Sequence, residues 1–77
     1  MSWNHRILAH EDHKKEIYLV IHDVYYNEKN IPDGYSENGV TIGGETLKDI
    51  KWTLSKMKEC LKKPILYAGD RFPQEFK

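Results

Sequence analysis

Residues 16–28 read "EIYLVIHDVYYNE" and give the strongest β-strand signal in the chain. The stretch is rich in β-branched and aromatic residues, which favour the pleated backbone of a strand. Successive side chains of a strand point to opposite faces, so the stretch divides into two alternating sets. One set is Tyr18, Val20, His22, Val24 and Tyr26, and the other is Ile17, Leu19, Ile21, Asp23 and Tyr25. Both sets are largely apolar, whereas a strand with one face in water alternates more cleanly.

Weaker strand and turn signals lie on either side of this stretch. Residues 5–10, "HRILAH", predict a first strand, and residues 11–15 predict a polar connection. Residues 29–34, "KNIPDG", predict a turn, because proline fixes φ and Asp-Gly supplies a left-handed position. Residues 35–42, "YSENGVTI", predict a returning strand. Together these segments predict a three-stranded antiparallel sheet.

A helix follows the sheet. Gly43 and Gly44 interrupt the last strand, and Thr46 with Asp49 three residues later resembles a capping box. Five apolar residues then recur at steps of three and four, which places them on one helical stripe: Leu47, Ile50, Leu54, Met57 and Leu61. Pro64 ends the helix, and residues 65–67, "ILY", predict a short closing strand.

These signals predict an α+β fold with a small three-stranded antiparallel sheet, a possible short fourth strand and one amphipathic helix on one face. We expect residues 1–67 to form a single domain and residues 68–77 to form a loose C-terminal tail. One helix covers one face of a sheet, and the long strand is apolar on both. The sequence therefore predicts a homo-oligomer, such as a dimer, or a protein partner on the second face or a sheet edge.

Composition narrows the classes of function. The chain has 77 residues and one cysteine, Cys60, which excludes an intramolecular disulfide. We expect a cytoplasmic protein without a membrane segment, because no signal peptide or apolar run of about 20 residues is visible. The net charge is zero but unevenly placed. Residues 1–45 carry four basic and eight acidic residues, and residues 46–63 carry six lysines and two acids.

Residue pairs that could perform chemistry are few. His22 and Asp23 are adjacent on a strand and therefore point to opposite faces, so they form no catalytic dyad. The polar run from His10 to His13 could bind a metal adventitiously with His22 across the hairpin. Cys60 lies at the C-terminal end of the helix, where the dipole disfavours a thiolate. We expect no catalytic residues, no metal, no cofactor and no small-molecule substrate.

Trp52 falls nearly opposite the apolar stripe of the helix, among lysines. It could stack on a nucleobase while the lysines contact phosphates, or it could anchor a protein interface. It could also be covered by Phe72 or Phe76 of the tail. The candidate interaction surface comprises the helix residues Trp52, Lys48, Lys56 and Lys63 and the strand residues Tyr18, His22, Tyr25 and Tyr26.

The segments "MSWNHRIL", "IHDVYYNEKNIP" and "GGETLKDIKWTLSKMKECLKKPIL" resemble a set of small uncharacterised bacterial proteins. Those proteins begin Met-x-Trp-Asn-x-Arg, carry strands like "IHEVYYDE" and continue "GETLEEL". The resemblance covers most of residues 1–67 and implies no activity. This chain differs in its lysines at positions 48, 51 and 56, where such helices are usually acidic.

Residues 44–47 and the strand–helix order also resemble, more weakly, the HicB-like antitoxin domain. That likeness implies a regulator, although the DNA-binding segment usual in HicB proteins is missing. The sequence thus predicts a non-catalytic interaction or regulatory module that self-associates through its sheet. The alternative is a nucleic-acid-binding or antitoxin-like regulator that uses the lysine-rich face of the helix.

Overall fold

Four strands form one curled mixed sheet in the order β3-β2-β1-β4, and one α-helix lies against it. The computed structural model describes residues 2–77. Its elements are β1 (Ser2–Glu11), β2 (Ile17–Tyr26), β3 (Pro32–Tyr35), α1 (Leu47–Lys58) and β4 (Leu66–Tyr67). Short 3₁₀ segments follow at Glu59–Lys62 and Gly69–Arg71. The α+β class is therefore confirmed.

β1 and β2 form a hairpin that makes up the centre of the sheet. Its ten-residue strands pair in antiparallel register, with Ile7 opposite Ile21, so the first strand is longer than the predicted residues 5–10. The connection is closed by Asp12, whose Oδ1 accepts hydrogen bonds from the backbone N–H groups of Lys14 (2.8 Å) and Glu16 (2.9 Å). This is the local bonding that makes aspartate a turn residue.

The third strand lies earlier in the chain than predicted. The turn falls before Pro32, because Asn27 Oδ1 accepts from the N–H groups of Lys29 (2.9 Å) and Ile31 (3.1 Å). Pro32 and Gly34 therefore lie in β3, at the sheet edge, where the missing N–H of proline is tolerated. The predicted returning strand over residues 35–42 is wrong, since regular pairing ends at Tyr35.

The helix begins as predicted. Thr46 Oγ1 accepts from the Asp49 N–H (3.2 Å), and Asp49 Oδ2 accepts from the Thr46 N–H (3.3 Å), which completes a capping box. This reciprocal bonding satisfies two backbone donors that have no partner inside the helix.

The predicted apolar stripe of the helix is wrong in three of its five residues. Leu47, Leu54 and Leu61 are 64%, 49% and 69% exposed, whereas Met57 and Cys60 are buried. Met57 belongs to the last turn of α1, and Cys60 belongs to the 3₁₀ segment that follows it.

The sheet has a helix side and a tail side. The helix side carries the set of β1 and β2 residues that includes Trp3, His5, Ile7 and Ile21, and the tail side carries the set that includes Leu8, His22, Val24 and Tyr26. The fully buried side chains Leu8 and Val24 lie on the tail side and form the main core with Tyr26 and Leu66.

Residues 68–77 do not form the loose tail that the sequence predicts. Ala68 and Phe72 pack against the core cluster on the tail side, together with Tyr35. The backbone of the segment is also bonded, because the Phe76 N–H donates to Ile65 O (2.7 Å) and the Tyr67 N–H donates to Gln74 O (2.8 Å). The chain thus covers with its own C-terminus much of the second sheet face, which we expected a partner to cover.

The fourth strand is parallel to its neighbour, whereas the sequence predicted an antiparallel sheet. β4 pairs with β1 in parallel, with Leu66 opposite Leu8 and Tyr67 opposite Ala9.

Across residues 2–77, neither α1 nor any other helix has the length and apolar character needed to cross a membrane.

Candidate functional site

An apolar groove runs between the helix side of the sheet and α1. It has a volume of about 420 Å³, and its wall is almost entirely carbon. It is lined by Ile21, Ile42, Leu54, Met57, Lys58, Cys60 and Leu61. Ile17 and Leu19 are 44% and 52% exposed and extend the apolar surface along the same side of β2. We call this continuous surface the apolar groove.

Cys60 closes the floor of the groove and is fully buried. Burial raises the pKa of its thiol, and a backbone hydrogen bond opposes this only in part. A thiol with a raised pKa is a poor nucleophile, because the thiolate is the reactive form. Cys60 therefore acts here as a small packing residue.

A second cavity lies at the other edge of the helix, against the first half of β1. It has a volume of about 400 Å³ and is lined by Trp3, Asn4, His5, Trp52, Lys56, Glu59 and Lys63. We call it the tryptophan cleft. Trp52 and Lys56 lie one turn apart on α1, and Glu59 and Lys63 follow in the 3₁₀ segment and directly after it. Trp3 and His5 alternate along β1 and therefore face the same side of the sheet.

The side chains of the tryptophan cleft are held in place by their neighbours. The indole of Trp3 meets the ring of His5 edge to face, with centroids 5.3 Å apart. His5 is buried, and its Nε2 lies 3.4 Å from the carboxylate of Asp23. Across the cleft, Lys56 Nζ lies 5.7 Å from the ring centroid of Trp52. Both indoles are about half exposed, at 49% and 58%.

The charges of the tryptophan cleft favour an anion. Within residues 2–77, Lys56 and Lys63 have no carboxylate at ion-pairing distance. Glu59 is the acidic residue of the lining, and Lys62 pairs with it at 3.5 Å. Asn4 Oδ1 is buried without a hydrogen-bond partner from the described part of the chain. Lys48 is exposed and lies outside the lining.

The tail side carries a histidine pair. His22 Nδ1 lies 2.9 Å from the Ser36 carbonyl oxygen, which only accepts, so Nδ1 carries the proton and donates. His22 Nε2 is then an acceptor, and it lies 2.8 Å from His10 Nε2, which donates. Burial lowers the pKa of His10 below its usual range, with the electrostatic effect of the neighbouring His22 ring as a smaller cause.

Two of the four candidate strand residues are not on the surface. His22 and Tyr26 are only 2% and 9% exposed, because the chain itself covers them. The Tyr26 hydroxyl accepts a hydrogen bond from Arg6 Nη1 (2.9 Å), which serves the core. Tyr18 is half exposed and stacks on His10, with ring centroids 5.1 Å apart. Tyr25 is 40% exposed on the helix side.

The tail does not cover Trp52, which was one of the alternatives left open by the sequence. Phe72 packs on Tyr35, with centroids 4.7 Å apart, and Phe76 meets Tyr67 at 5.4 Å. Both contacts are made away from the tryptophan cleft. Of the helix residues in the predicted surface, Trp52, Lys56 and Lys63 converge in that cleft.

Of the titratable residues named from the sequence, His10 and His22 meet on the tail side, whereas His22 and Asp23 do not meet. His22 bonds on the tail side, while Asp23 pairs with His5 on the helix side, as the strand alternation predicted. Asp12 is engaged in the β1–β2 turn. Over residues 2–77, no three His, Cys, Asp or Glu side chains are grouped so that they could hold a metal ion.

Comparison with known proteins returned no similarity: no family of proteins, no curated protein and no solved structure matches the chain.

Sequence reasoning missed Trp3 and His5 as members of a site. Trp3 lies before the predicted first strand, residues 5–10, and its partner Trp52 is 49 positions away and comes from the helix. The exposed leucines of the apolar groove were assigned to the core, because helical spacing shows which residues share a stripe and not how much of it a short sheet covers.

Proposed function

We propose that this protein is a small, non-catalytic interaction module that self-associates through the apolar groove. The observation that carries the proposal is the groove itself, an exposed cavity whose lining is apolar apart from Lys58. Large exposed apolar surfaces on soluble domains are typical of protein–protein contacts.

The surface area of the chain supports this proposal. A folded monomer of 9.1 kDa is expected to expose about 4,900 Å², whereas this chain exposes 6046 Å². The excess, about 1,100 Å², is of the same order as the roughly 800 Å² that each partner buries in a standard interface. Its radius of gyration, 13.2 Å, likewise exceeds the roughly 11.5 Å of a domain this long.

The occupant we propose is a second copy of the chain. In residues 2–77, seven apolar side chains are buried and eleven large ones are exposed, so a single copy leaves much of its apolar surface in water. A two-fold contact sets the same patch against itself. The protruding Leu54 and Leu61 of one copy then enter the groove of the other. The zero net charge means that no overall repulsion opposes this contact.

Sedimentation velocity over a concentration series tests the proposal. We expect the wild-type chain to dimerise with a dissociation constant in the micromolar range, which corresponds to a free energy of association of about −8 kcal/mol. Leu54→Glu places a charge in the apolar contact and should weaken the dimer at least about tenfold. Leu54 is half exposed, so the monomer should keep its fold, which far-UV circular dichroism checks.

Leu47→Glu is the matched control. Leu47 is an exposed leucine of the same helix and lies outside the groove lining, so the same change of charge should leave the dimer intact. A wild-type chain that stays a 9.1 kDa monomer at high micromolar concentration would refute the proposal. Equal loss of the dimer in the two variants would also refute it.

A further inference from the structure

We infer that the tryptophan cleft binds single-stranded nucleic acid, with a base against the indoles of Trp3 and Trp52 and a phosphate at Lys56 and Lys63. This site is separate from the apolar groove, since no residue lines both.

The shape of the cleft suits a planar group attached to an anion. Its volume of about 400 Å³ lies within the roughly 300–1,000 Å³ of small-molecule sites, so it accepts one nucleotide unit. Both indoles line it and both are half exposed. Exposed aromatic faces stack on bases of any sequence, because every base has a π face.

The orientation of the cleft residues is partly fixed before a ligand arrives. Trp3 is held by the ring of His5, which is held in turn by Asp23. The helix presents Trp52, one turn before Lys56, to the same space. Preorganised groups lose less conformational freedom on binding, so more of the interaction energy appears as affinity.

The charges select the anion and favour a strand over a single nucleotide. The cleft holds two lysines without carboxylate partners in residues 2–77, and its acid, Glu59, is paired with Lys62. Four further lysines lie in residues 46–63, so positive charge continues beyond the cleft. A strand that leaves the cleft can place its neighbouring phosphates along this charge, which a mononucleotide cannot do.

The two tryptophans make the test direct. The chain has only these two, and both line the cleft, so intrinsic tryptophan fluorescence reports on this site. We expect single-stranded RNA or DNA of roughly ten nucleotides to quench the fluorescence of the full chain. Affinity should fall as salt rises from about 50 to 200 mM, with a slope of about −0.7 per phosphate neutralised.

Variants separate stacking from charge. Trp52→Ala should weaken binding by about 5- to 100-fold, and Trp52→Phe should restore much of it, because phenylalanine keeps a stacking face. The double variant Lys56→Ala/Lys63→Ala should flatten the salt slope by about 1.4. Its control, Lys14→Ala/Lys15→Ala, removes the same charge from the distant β1–β2 turn and should change neither quantity.

Several outcomes would overturn the inference. These are the absence of quenching at low salt, binding that is unaffected by Trp52→Ala, and equal binding of double-stranded DNA, whose bases are already stacked. Equal quenching by an acidic polypeptide such as polyglutamate would reduce the cleft to a general anion site. Leu54→Glu, which tests self-association, should leave nucleic-acid binding unchanged, so the two proposals can fail separately.

Discussion

Gly44 lies where a side chain would collide with the start of the helix. A β-carbon placed on Gly44 would lie 2.5 Å from Asp49 Cβ, whereas one on Gly43 would meet nothing within 4 Å. We therefore expect Gly44→Ala to displace Asp49 and cost about 1–2 kcal/mol, the usual value of a lost cap. Chemical denaturation measures this, and Gly43→Ala, the control, should cost less than about 0.5 kcal/mol. Equal effects at the two glycines would contradict the capping role.

The histidine pair makes stability depend on pH. The pKa of His10 is lowered in the folded chain, mainly by burial, so the unfolded chain binds the proton more readily. This residue therefore contributes stability above pH about 6.5, the unfolded value, and that contribution is lost as pH falls through the lower folded value. The melting temperature of the wild type should fall between pH 7 and pH 5, because this interval contains the pKa of histidine in the unfolded chain. We expect a smaller fall in His10→Gln.

Glutamine in place of His10 keeps an N–H donor near His22 Nε2 but does not titrate. His13→Gln removes an exposed imidazole from the same turn region and should leave the pH profile as it is in the wild type. The histidine-pair argument fails if the two variants give the same profile.

Local chemistry explains which residues were predictable. The capping box could be read from Thr46 and Asp49, because both partners lie within four positions of each other. The opposite orientations of His22 and Asp23 followed from strand alternation alone. An approach of His22 to the run from His10 to His13 across the hairpin was visible, but the direct contact with His10 depends on the register of β1 against β2, which places Arg6 opposite His22.

At the scale of elements, the C-terminal segment decides how the tail side is buried. Phe72 packs against the cluster of Leu8, Val24 and Leu66, whereas Phe76 contacts the partly exposed Tyr67. We expect Phe72→Ala to lower the free energy of unfolding by about 2–3 kcal/mol, somewhat less than for a fully buried phenylalanine. Phe76→Ala, the matched control, should cost about 1 kcal/mol or less.

Denaturant midpoints of the two phenylalanine variants provide the measurement. A larger loss in Phe76→Ala than in Phe72→Ala would mean that the segment is held by its backbone pairing to Ile65 and not by the core. In that case the role assigned to Phe72 would be wrong.

Elements were predictable where their signals were local. The helix start, the hairpin strands and the short β4 were visible from spacing and composition. β3 was misplaced because two turn signals compete within residues 27–34, and the side chain of Asn27 closes the earlier one. The packing of residues 68–77 was missed because that segment carries no periodic pattern, and its two phenylalanines find their partners only in the folded chain.

At the scale of the whole molecule, the helix separates two surfaces of different character. Leu54 and Leu61 border the apolar groove, while Trp52, Lys56 and Lys63 border the tryptophan cleft. The sequence predicted this division of apolar and basic faces, but it placed the leucines in the core and the tryptophan opposite the sheet. The difference arises because the two hairpin strands form a narrow support that buries only Met57 and Cys60 of the helical segment.

The parallel pairing of β4 with β1 has a consequence for biosynthesis. A ribosome releases the β1–β2 hairpin before residues 66–76 emerge, so the nascent chain exposes Leu8 and Val24 until those residues follow. Local hairpin contacts can form early, but closure of the tail side requires residues 66–76. The tail side of this protein is therefore buried only after residues 66–76 have been translated and released.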